Sequence, residues 1–132
     1  YDIVIFGGPT EVEMAQSIEE ELLKLKVQNF TNLAGKTSIK ELCAYIGGLS
    51  LFVTNDSGPM HVAAAYQVPT ASIFGPTRFL ETSQWQNRQS VLIRHEMECS
   101  PCMKRECPLK HHECMTTIKA DEVIGEIEKL II

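Results

Sequence analysis

The sequence predicts an α/β domain in which helices flank a parallel β-sheet. Short apolar runs alternate along the chain with segments whose apolar residues recur at helical spacing. This alternation is typical of parallel strands joined by right-handed helical crossovers. With 132 residues, 44% of them hydrophobic, the chain is long enough for one domain with its own core.

Five strands are predicted, because five short apolar runs each end in turn-forming residues. Gly-Gly-Pro-Thr at 7–10 ends the first run and Gly-Pro-Thr at 75–77 ends the fourth. The predicted strands cover 2–6, 30–33, 49–53, 69–74 and 90–94.

The first helix is predicted to span 11–26. Thr10 is placed to cap it, and Glu13 three residues later completes a capping box. Apolar residues at helical spacing indicate that one face is buried. That face is formed by Met14, Ile18, Leu22 and Leu25.

Three further helices are expected. Thr37 or Ser38 caps the second, which Gly47 and Gly48 end. Small residues that follow the third strand form the next helix, while 78–89 is polar and irregular. The last helix covers 121–131, and its inward residues are expected to be Val123, Ile124, Ile127, Leu130 and Ile131.

The turn after the third strand is the best candidate site. Ser57 suits a helix N-cap, and Gly58 lets a ligand approach the backbone. Free N–H groups at the positive end of a helix favour a phosphate. Asp56 and His61 add a carboxylate and an imidazole, which predicts a nucleotide-type site at the carboxyl end of a strand. The alternative is an ordinary capped turn with a solvent-facing histidine.

Charge and composition limit the classes of partner that the protein can bind. The net charge of -5 argues against nucleic acid, since phosphate backbones need clustered cations. No apolar run approaches the roughly 20 residues of a membrane helix. The chain starts at Tyr1, without Met and directly at an apolar strand, so we expect a piece of a longer protein. The nucleotide-type site favours a reducing compartment with free or metal-bound thiols.

Four cysteines form a separate cluster in a predicted long loop, with the spacing C-x2-C-x4-C-x6-C; they are Cys99, Cys102, Cys107 and Cys114. The first spacing fits a zinc site, but a second close pair is missing. The alternative is a packed loop rich in Cys and Met, and we assign no metal ligand from the sequence. Basic residues in this segment could contact an anionic acceptor or a membrane surface. Cys43 lies on the second predicted helix and is expected to be part of the protein core.

Three motifs resemble a known family. Residues 56–64 read Asp-Ser-Gly-x-x-His-x-Ala-Ala, residues 32–42 begin Asn-Leu-Ala-Gly-Lys-Thr, and residues 99–108 carry three cysteines. In this order they resemble the ADP-heptose:lipopolysaccharide heptosyltransferases of glycosyltransferase family 9, most closely the heptosyltransferase II branch. The resemblance extends over nearly the whole chain.

The resemblance implies a Rossmann-like, donor-binding C-terminal domain of a two-domain GT-B enzyme, here residues 1–132. The implied reaction transfers heptose from ADP-heptose to the lipopolysaccharide inner core with inversion, without a cofactor or a metal at the diphosphate. The general base is expected in a missing N-terminal domain, so this chain alone is expected to hold no catalytic residue and to be inactive. The implied location is cytoplasmic, at the inner face of the inner membrane.

The resemblance also implies roles for individual residues. Backbone N–H groups of Ser57 and Gly58 hold the diphosphate, and His61 contacts a phosphate or the sugar. Asp56 binds heptose hydroxyls or the N–H groups of its own loop.

Three other loops are expected to contact the donor. The loop containing Gly8 carries the acid for the ribose, which is Glu11 or, alternatively, Glu13. Thr37 lies against the adenine. Gly75 contacts the donor or only ends its strand.

Two other functions remain open from the residues. A transferase or epimerase that uses UDP would share the fold and the nucleotide loops, and preference for ADP over UDP would separate them. A non-catalytic zinc-binding interaction module would instead depend on the cysteines.

Overall fold

The computed structural model describes residues 1–131 and divides the chain into two compact units, Tyr1–Ala44 and a second that begins at Tyr45. Parallel pairing of strands is found in both units, which confirms the α/β class. None of the helices within residues 1–131 has both the length and the apolar character that crossing a bilayer demands.

The first unit pairs two short strands and packs a helix on them. Strand β1 runs parallel to β2 with Ile3 opposite Phe30 and Ile5 opposite Asn32. A 3₁₀ turn, Pro9–Glu11, leads into the first helix. The elements are β1 (Ile3–Ile5), α1 (Val12–Lys24), β2 (Phe30–Asn32) and α2 (Ile39–Gly47), which carries the chain into the second unit.

The second unit contains a three-stranded parallel sheet in the order β3-β4-β5. Its register aligns Asn55, Ile73 and Ile93 at the carboxyl edge. The elements are β3 (Phe52–Asn55), α3 (Gly58–Ala65), β4 (Thr70–Ile73), α4 (Phe79–Thr82), β5 (Ser90–Ile93), α5 (Glu113–Thr116) and α6 (Ala120–Ile131).

Strand β4 lies at the centre of this unit and is its most buried strand. Thr70, Ala71 and Ser72 are all buried. The two hydroxyls are satisfied, because Thr70 Oγ1 donates to the Val68 carbonyl at 2.8 Å and Ser72 Oγ donates to the Val91 carbonyl at 3.3 Å. Buried polar groups with partners cost little, so β4 tolerates them.

Helix α3 packs on β3 and β4 through small side chains. Ala63 and Ala64 are buried, as is Met60 one turn earlier. Short side chains let the helix backbone lie close to the sheet, which fixes where the helix begins relative to the strand ends.

The predicted capping box at the start of α1 is wrong. Helix α1 begins at Val12, and Thr10 lies in the preceding 3₁₀ turn. The Glu11 carboxylate accepts the Gly8 N–H at 2.6 Å instead. Pro9 starts the turn early, so the reciprocal bond forms two residues before the predicted one.

The predicted buried face of α1 is wrong for three of its four residues, while Leu22 is half-buried. Met14, Ile18 and Leu25 are 69%, 46% and 73% exposed, whereas Ala15 is buried. The inward face contains Ala15 and Glu19, whose carboxylate accepts Asn32 Nδ2 of β2 at 2.9 Å. A small residue and one hydrogen bond, rather than the largest apolar residues, orient this helix.

Strand β3 begins three residues later than predicted. Leu49 N–H donates to the Ile46 carbonyl at 3.1 Å, so Leu49 belongs to the turn after α2. That helix continues through Gly47 instead of stopping before it, and Cys43 is half-buried rather than in the core.

Two one-turn helices, α4 and α5, lie in segments predicted to be irregular. Such short helices are below the length at which periodicity is visible in a sequence. In α6, which starts one residue earlier than predicted, Ile124 and Ile131 are exposed. The other three predicted inward residues are half-buried, because the apolar stripe is wider than the face that packs.

His95 ties the end of β5 to α6. Its Nδ1 lies 2.8 Å from Thr117 Oγ1, and its Nε2 lies 2.8 Å and 2.9 Å from the two carboxylate oxygens of Glu122. Helix α6 packs on β5 and β4. The Glu122 contact fixes this helix, and the Thr117 contact fixes the residue that ends α5, against the carboxyl half of the sheet.

Gly125→Ala should stabilise the protein by about 0.5–1 kcal/mol, because glycine inside a helix loses more backbone entropy on folding. A Cβ at this position of α6 meets nothing within 4 Å. Denaturant unfolding measures the change, and a lower stability would contradict the open space around Gly125.

The matched substitution Gly35→Ala should destabilise by about 1–2 kcal/mol, since the backbone there is left-handed. Its φ is 70°, and an added Cβ would lie 2.9 Å from Val12 Cγ2. Together the two variants separate a glycine that the fold requires from one that it only tolerates.

Candidate functional site

The turn between β3 and α3 has the local geometry that the sequence predicts. Ser57 occupies the N-cap position with extended backbone, and Met60 N–H donates to its carbonyl at 3.2 Å. Its hydroxyl does not cap the helix, however. Ser57 Oγ lies 3.3 Å from the Asn55 carbonyl and 3.2 Å from Thr54 Oγ1, so it binds back to the strand and leaves the helix N–H groups open.

Two backbone N–H groups at this turn are available to a ligand. Those of Ser57 and Gly58 have no hydrogen-bond acceptor among residues 1–131. Gly58 is exposed, and a Cβ on it would meet nothing within 4 Å. Pro59 follows in the first helical turn, where its missing N–H costs nothing. The helix start can therefore accept an anion.

Asp56 is held by a short helix rather than by its own loop. Thr82 Oγ1 of α4 lies 3.0 Å from Asp56 Oδ2, and no loop N–H donates to this carboxylate within the described part of the chain. Because only one carboxylate oxygen is used, the other is left for a ligand hydroxyl. Sequence reasoning missed Thr82, since it lies in a segment predicted to be irregular.

His61 lies in the first turn of α3, exposed to solvent. Neither ring nitrogen has a hydrogen-bond partner among the residues that the structure describes. Its neighbour Met60 is fully buried, so α3 is anchored on one side while the imidazole remains free on the other. This arrangement allows a contact with an anion bound at the helix start.

Arg94 is a second residue that sequence reasoning missed as part of this edge. It follows Ile93, which is in register with Asn55 and Ile73, so its backbone shares the carboxyl edge with Asp56. The guanidinium carbon lies 4.1 Å from the centre of the Phe79 ring, and Nη1 lies 3.3 Å from a Glu96 oxygen. A cation directly after a strand was the available signal.

In the loop after β1, one group predicted to contact the donor already makes a hydrogen bond within the protein. The Gly8 N–H already donates to the Glu11 carboxylate, so it is not free for a phosphate, and one Glu11 oxygen is engaged. Glu13 is exposed, and its carboxylate has no partner in residues 1–131. Both acids retain at least one free oxygen for a sugar hydroxyl.

Ser38, in the loop before α2, caps that helix. Ser38 Oγ accepts the Glu41 N–H at 3.2 Å, and the Glu41 carboxylate accepts the Ser38 N–H at 3.4 Å. This is a reciprocal capping box. Thr37 is therefore not the cap, and its half-buried hydroxyl has no partner in the part of the chain that is described.

Gly75 is buried, and close packing explains the glycine. A Cβ here would lie 2.4 Å from Met115 Sδ and 3.4 Å from Cys114 Sγ. Its carbonyl accepts Ser100 Oγ at 2.9 Å. Two residues later, Thr77 Oγ1 is buried without a hydrogen-bond partner among residues 1–131. The turn after β4 therefore packs against residues 99–115, which we call the cysteine segment. The same turn holds one hydroxyl without a hydrogen-bond partner.

The four clustered cysteines meet at one cavity. Burial raises the pKa of the Cys114 thiol, and the nearby thiols of Cys102, Cys107 and Cys99 raise it further. The pKa of Cys107 is lowered, mainly because the His112 N–H donates to its sulfur.

Known proteins resemble this chain in sequence and in fold. The sequence model of the family described as glycosyltransferase family 9 (heptosyltransferase) matches residues 1–113 of this chain. The lipooligosaccharide heptosyltransferase 2 of Campylobacter jejuni serotype O:6 is 47% identical over 131 residues, covering 98% of this chain and 41% of that protein. The lipopolysaccharide heptosyltransferase 3 of Escherichia coli K12 is 31% identical, covering 99% of this chain and 37% of that protein.

Two solved structures share the fold. E. coli ADP-heptose lps heptosyltransferase II superimposes with a TM-score of 0.78 at 26% identity, over 99% of this chain and 36% of that one. A glycosyl transferase of family 9 from Veillonella parvula gives the same TM-score at 25% identity, over the same shares of the two chains. The chain thus spans about two fifths of the length of the curated relatives, and over this length it belongs to glycosyltransferase family 9, the heptosyltransferases.

Proposed function

We propose that this chain is the donor-binding, C-terminal domain of an ADP-heptose:lipopolysaccharide heptosyltransferase. The observation that carries the proposal is the pair of unpaired N–H groups, Ser57 and Gly58, at the start of α3. They lie at the carboxyl end of a parallel strand, in a chain of the heptosyltransferase family. This is where open parallel sheets bind nucleotides.

In this proposal the diphosphate of the donor binds to the Ser57 and Gly58 N–H groups. His61 donates to a phosphate or a sugar hydroxyl, and Arg94 supplies positive potential from the same sheet edge. The free oxygen of Asp56 accepts a heptose hydroxyl, because Thr82 already holds the other oxygen. A carboxylate used in this way stays clear of the phosphate charge.

The remaining donor contacts are carried by the family resemblance. Glu11 or Glu13 accepts the ribose hydroxyls, and Thr37, freed from capping by Ser38, lies against the adenine. Gly8 contributes by lacking a side chain. Gly75 supports the site by packing.

The whole enzyme would transfer heptose from ADP-heptose to the inner core with inversion, at the cytoplasmic face of the inner membrane. Its general base and acceptor surface would belong to the N-terminal domain, so this chain alone would be inactive. The N–H groups of α3 stabilise charge that develops on the departing ADP. This role needs neither a cofactor nor a metal at the diphosphate.

Gly58→Ala should weaken ADP binding without lowering stability. Beyond the adjacent residues and the backbone of its own helix, the added methyl group meets nothing within 4 Å, while its bulk would hinder the close approach of a phosphate to the N–H. Calorimetric titration of the full-length protein with ADP, together with thermal unfolding, measures both effects. Unchanged ADP affinity in a folded variant would remove the Gly58 N–H from the site.

His61→Ala should weaken ADP binding about tenfold, which is the loss expected for one hydrogen bond to a charged group. The matched control is Arg88→Ala, since this exposed cation precedes β5 at the opposite edge of the sheet and should have no effect.

Titration with UDP under the same conditions tests the alternative that the protein is an enzyme that uses a UDP-linked sugar. Weaker binding of UDP than of ADP supports the heptosyltransferase proposal. Equal binding of both nucleotides, or equal loss in the His61 and Arg88 variants, would contradict it.

A further inference from the structure

Four of the five cysteines line a single small cavity. They are Cys99, Cys102, Cys107 and Cys114, and the cavity wall also includes His111 and Lys104. Three of the thiols come from irregular backbone and Cys114 comes from α5, so the fold of the segment brings them together. The fifth, Cys43, lies on α2 and is not among the lining residues.

The segment that carries these thiols has few other sources of order. Residues 94–112 contain no helix or strand, and Met103 and Leu109 are at least half exposed. A structureless segment of this length is uncommon in a compact domain. Small modules without enough apolar burial are commonly held by disulfides or by a metal, and all five thiols are free.

The backbone around Cys107 is shaped to stabilise a thiolate. The His112 N–H donates to Cys107 Sγ at 3.4 Å. Lys110 and His112 both have left-handed backbones, as does Met103 directly after Cys102. Such turns aim successive N–H groups into one concavity, a geometry that many metal–sulfur sites share.

The charge of the segment complements a metal–thiolate centre. Four thiolates and one Zn²⁺ carry a net charge of −2. Lys104 lies in the cavity wall, and Arg105 and Lys110 belong to the same loop. Because Glu106 and Glu113 lie in the same stretch, residues 99–114 carry three cations and two carboxylates, a net charge of +1 that partly offsets the negative centre.

We propose that Cys99, Cys102, Cys107 and Cys114 bind one structural Zn²⁺. Four sulfur ligands make a closed tetrahedral site, and the C-x2-C spacing of the first pair is typical of zinc. Within residues 1–131 no three such side chains yet surround a common point. Binding would therefore require the thiols to turn inward to the Zn–S distance of about 2.3 Å.

His111 is excluded as the fourth ligand through its Nδ1. That atom already accepts the Glu113 N–H at 3.0 Å. Cys114, in contrast, is buried beside the other thiols, which makes it the better fourth ligand.

The site would order the turn that follows β4. Met103 N–H donates to the Pro76 carbonyl at 2.8 Å, and Arg78 N–H lies 3.2 Å from Met103 Sδ. Ser100 Oγ holds the Gly75 carbonyl. A metal that fixes the cysteine segment therefore fixes this turn, whether or not the sheet edge binds a nucleotide.

The test is metal analysis of the full-length protein, purified without a tag or chelator and with a reductant present. We expect about one zinc per chain, as one four-thiolate site requires. Cys102→Ser and Cys107→Ser should lose it, while the matched control Cys43→Ser keeps it. Absence of zinc from the purified protein, with none taken up on titration with Zn²⁺, would overturn the proposal.

A second measurement on the unmutated protein guards against variants that do not fold. Replacing the metal with Co²⁺ should give the absorption bands of a tetrahedral thiolate site, and a chelator should lower the Tm until Zn²⁺, but not Mg²⁺, is restored. Two disulfides among the four cysteines, or zinc retained by both serine variants, would refute the site. Because neither readout uses ADP, failure here leaves the donor-binding proposal to its own titration.

Discussion

Parallel pairing of β4 between β3 and β5 is the constraint on which the second unit depends. Three of the four residues of β4 are buried, and its two hydroxyls have partners, so both its ladders form without an unsatisfied hydroxyl. The register brings Asn55, Ile73 and Ile93 to one edge. Every loop of the proposed donor site in this unit leaves from that edge, and α3 can begin there because its alanines pack closely on the sheet.

Gly75 links the proposed donor site with the proposed zinc site, because it follows β4 at this edge of the sheet and packs against the cysteine segment. Gly75 must lack a side chain because Met115 and Cys114 occupy the space a Cβ would need. Its carbonyl is held by Ser100 of the cysteine segment. The order of the turn after β4 thus depends on the order of that segment. A structural metal would act on the donor edge by fixing this turn, without touching a ligand.

Much of the fold could be predicted because its signals are local. Apolar runs bounded by Gly and Pro located all five strands within three residues at each end, and Ser57 followed by Gly58 and Pro59 marked the start of α3. The turn between β3 and α3 was predicted correctly for the same reason, since a helix N-terminus after a strand is specified by adjacent residues. Errors arose where elements were short, as for α4 and α5. The sequence left Thr37 and Ser38 open as the cap of α2, and the structure selects Ser38.

By itself the sequence determined the α/β class, the order of the elements, the resemblance to the heptosyltransferases and the turn at Ser57, all of which depend on neighbouring residues. Only the tertiary structure decided which face of α1 is buried, that Thr82 holds Asp56, that Met115 crowds Gly75 and that four thiols share a cavity. These features join residues far apart in the chain. Periodicity reports that a helix has an apolar face, but the neighbour that covers the face, or leaves it exposed, is set by packing.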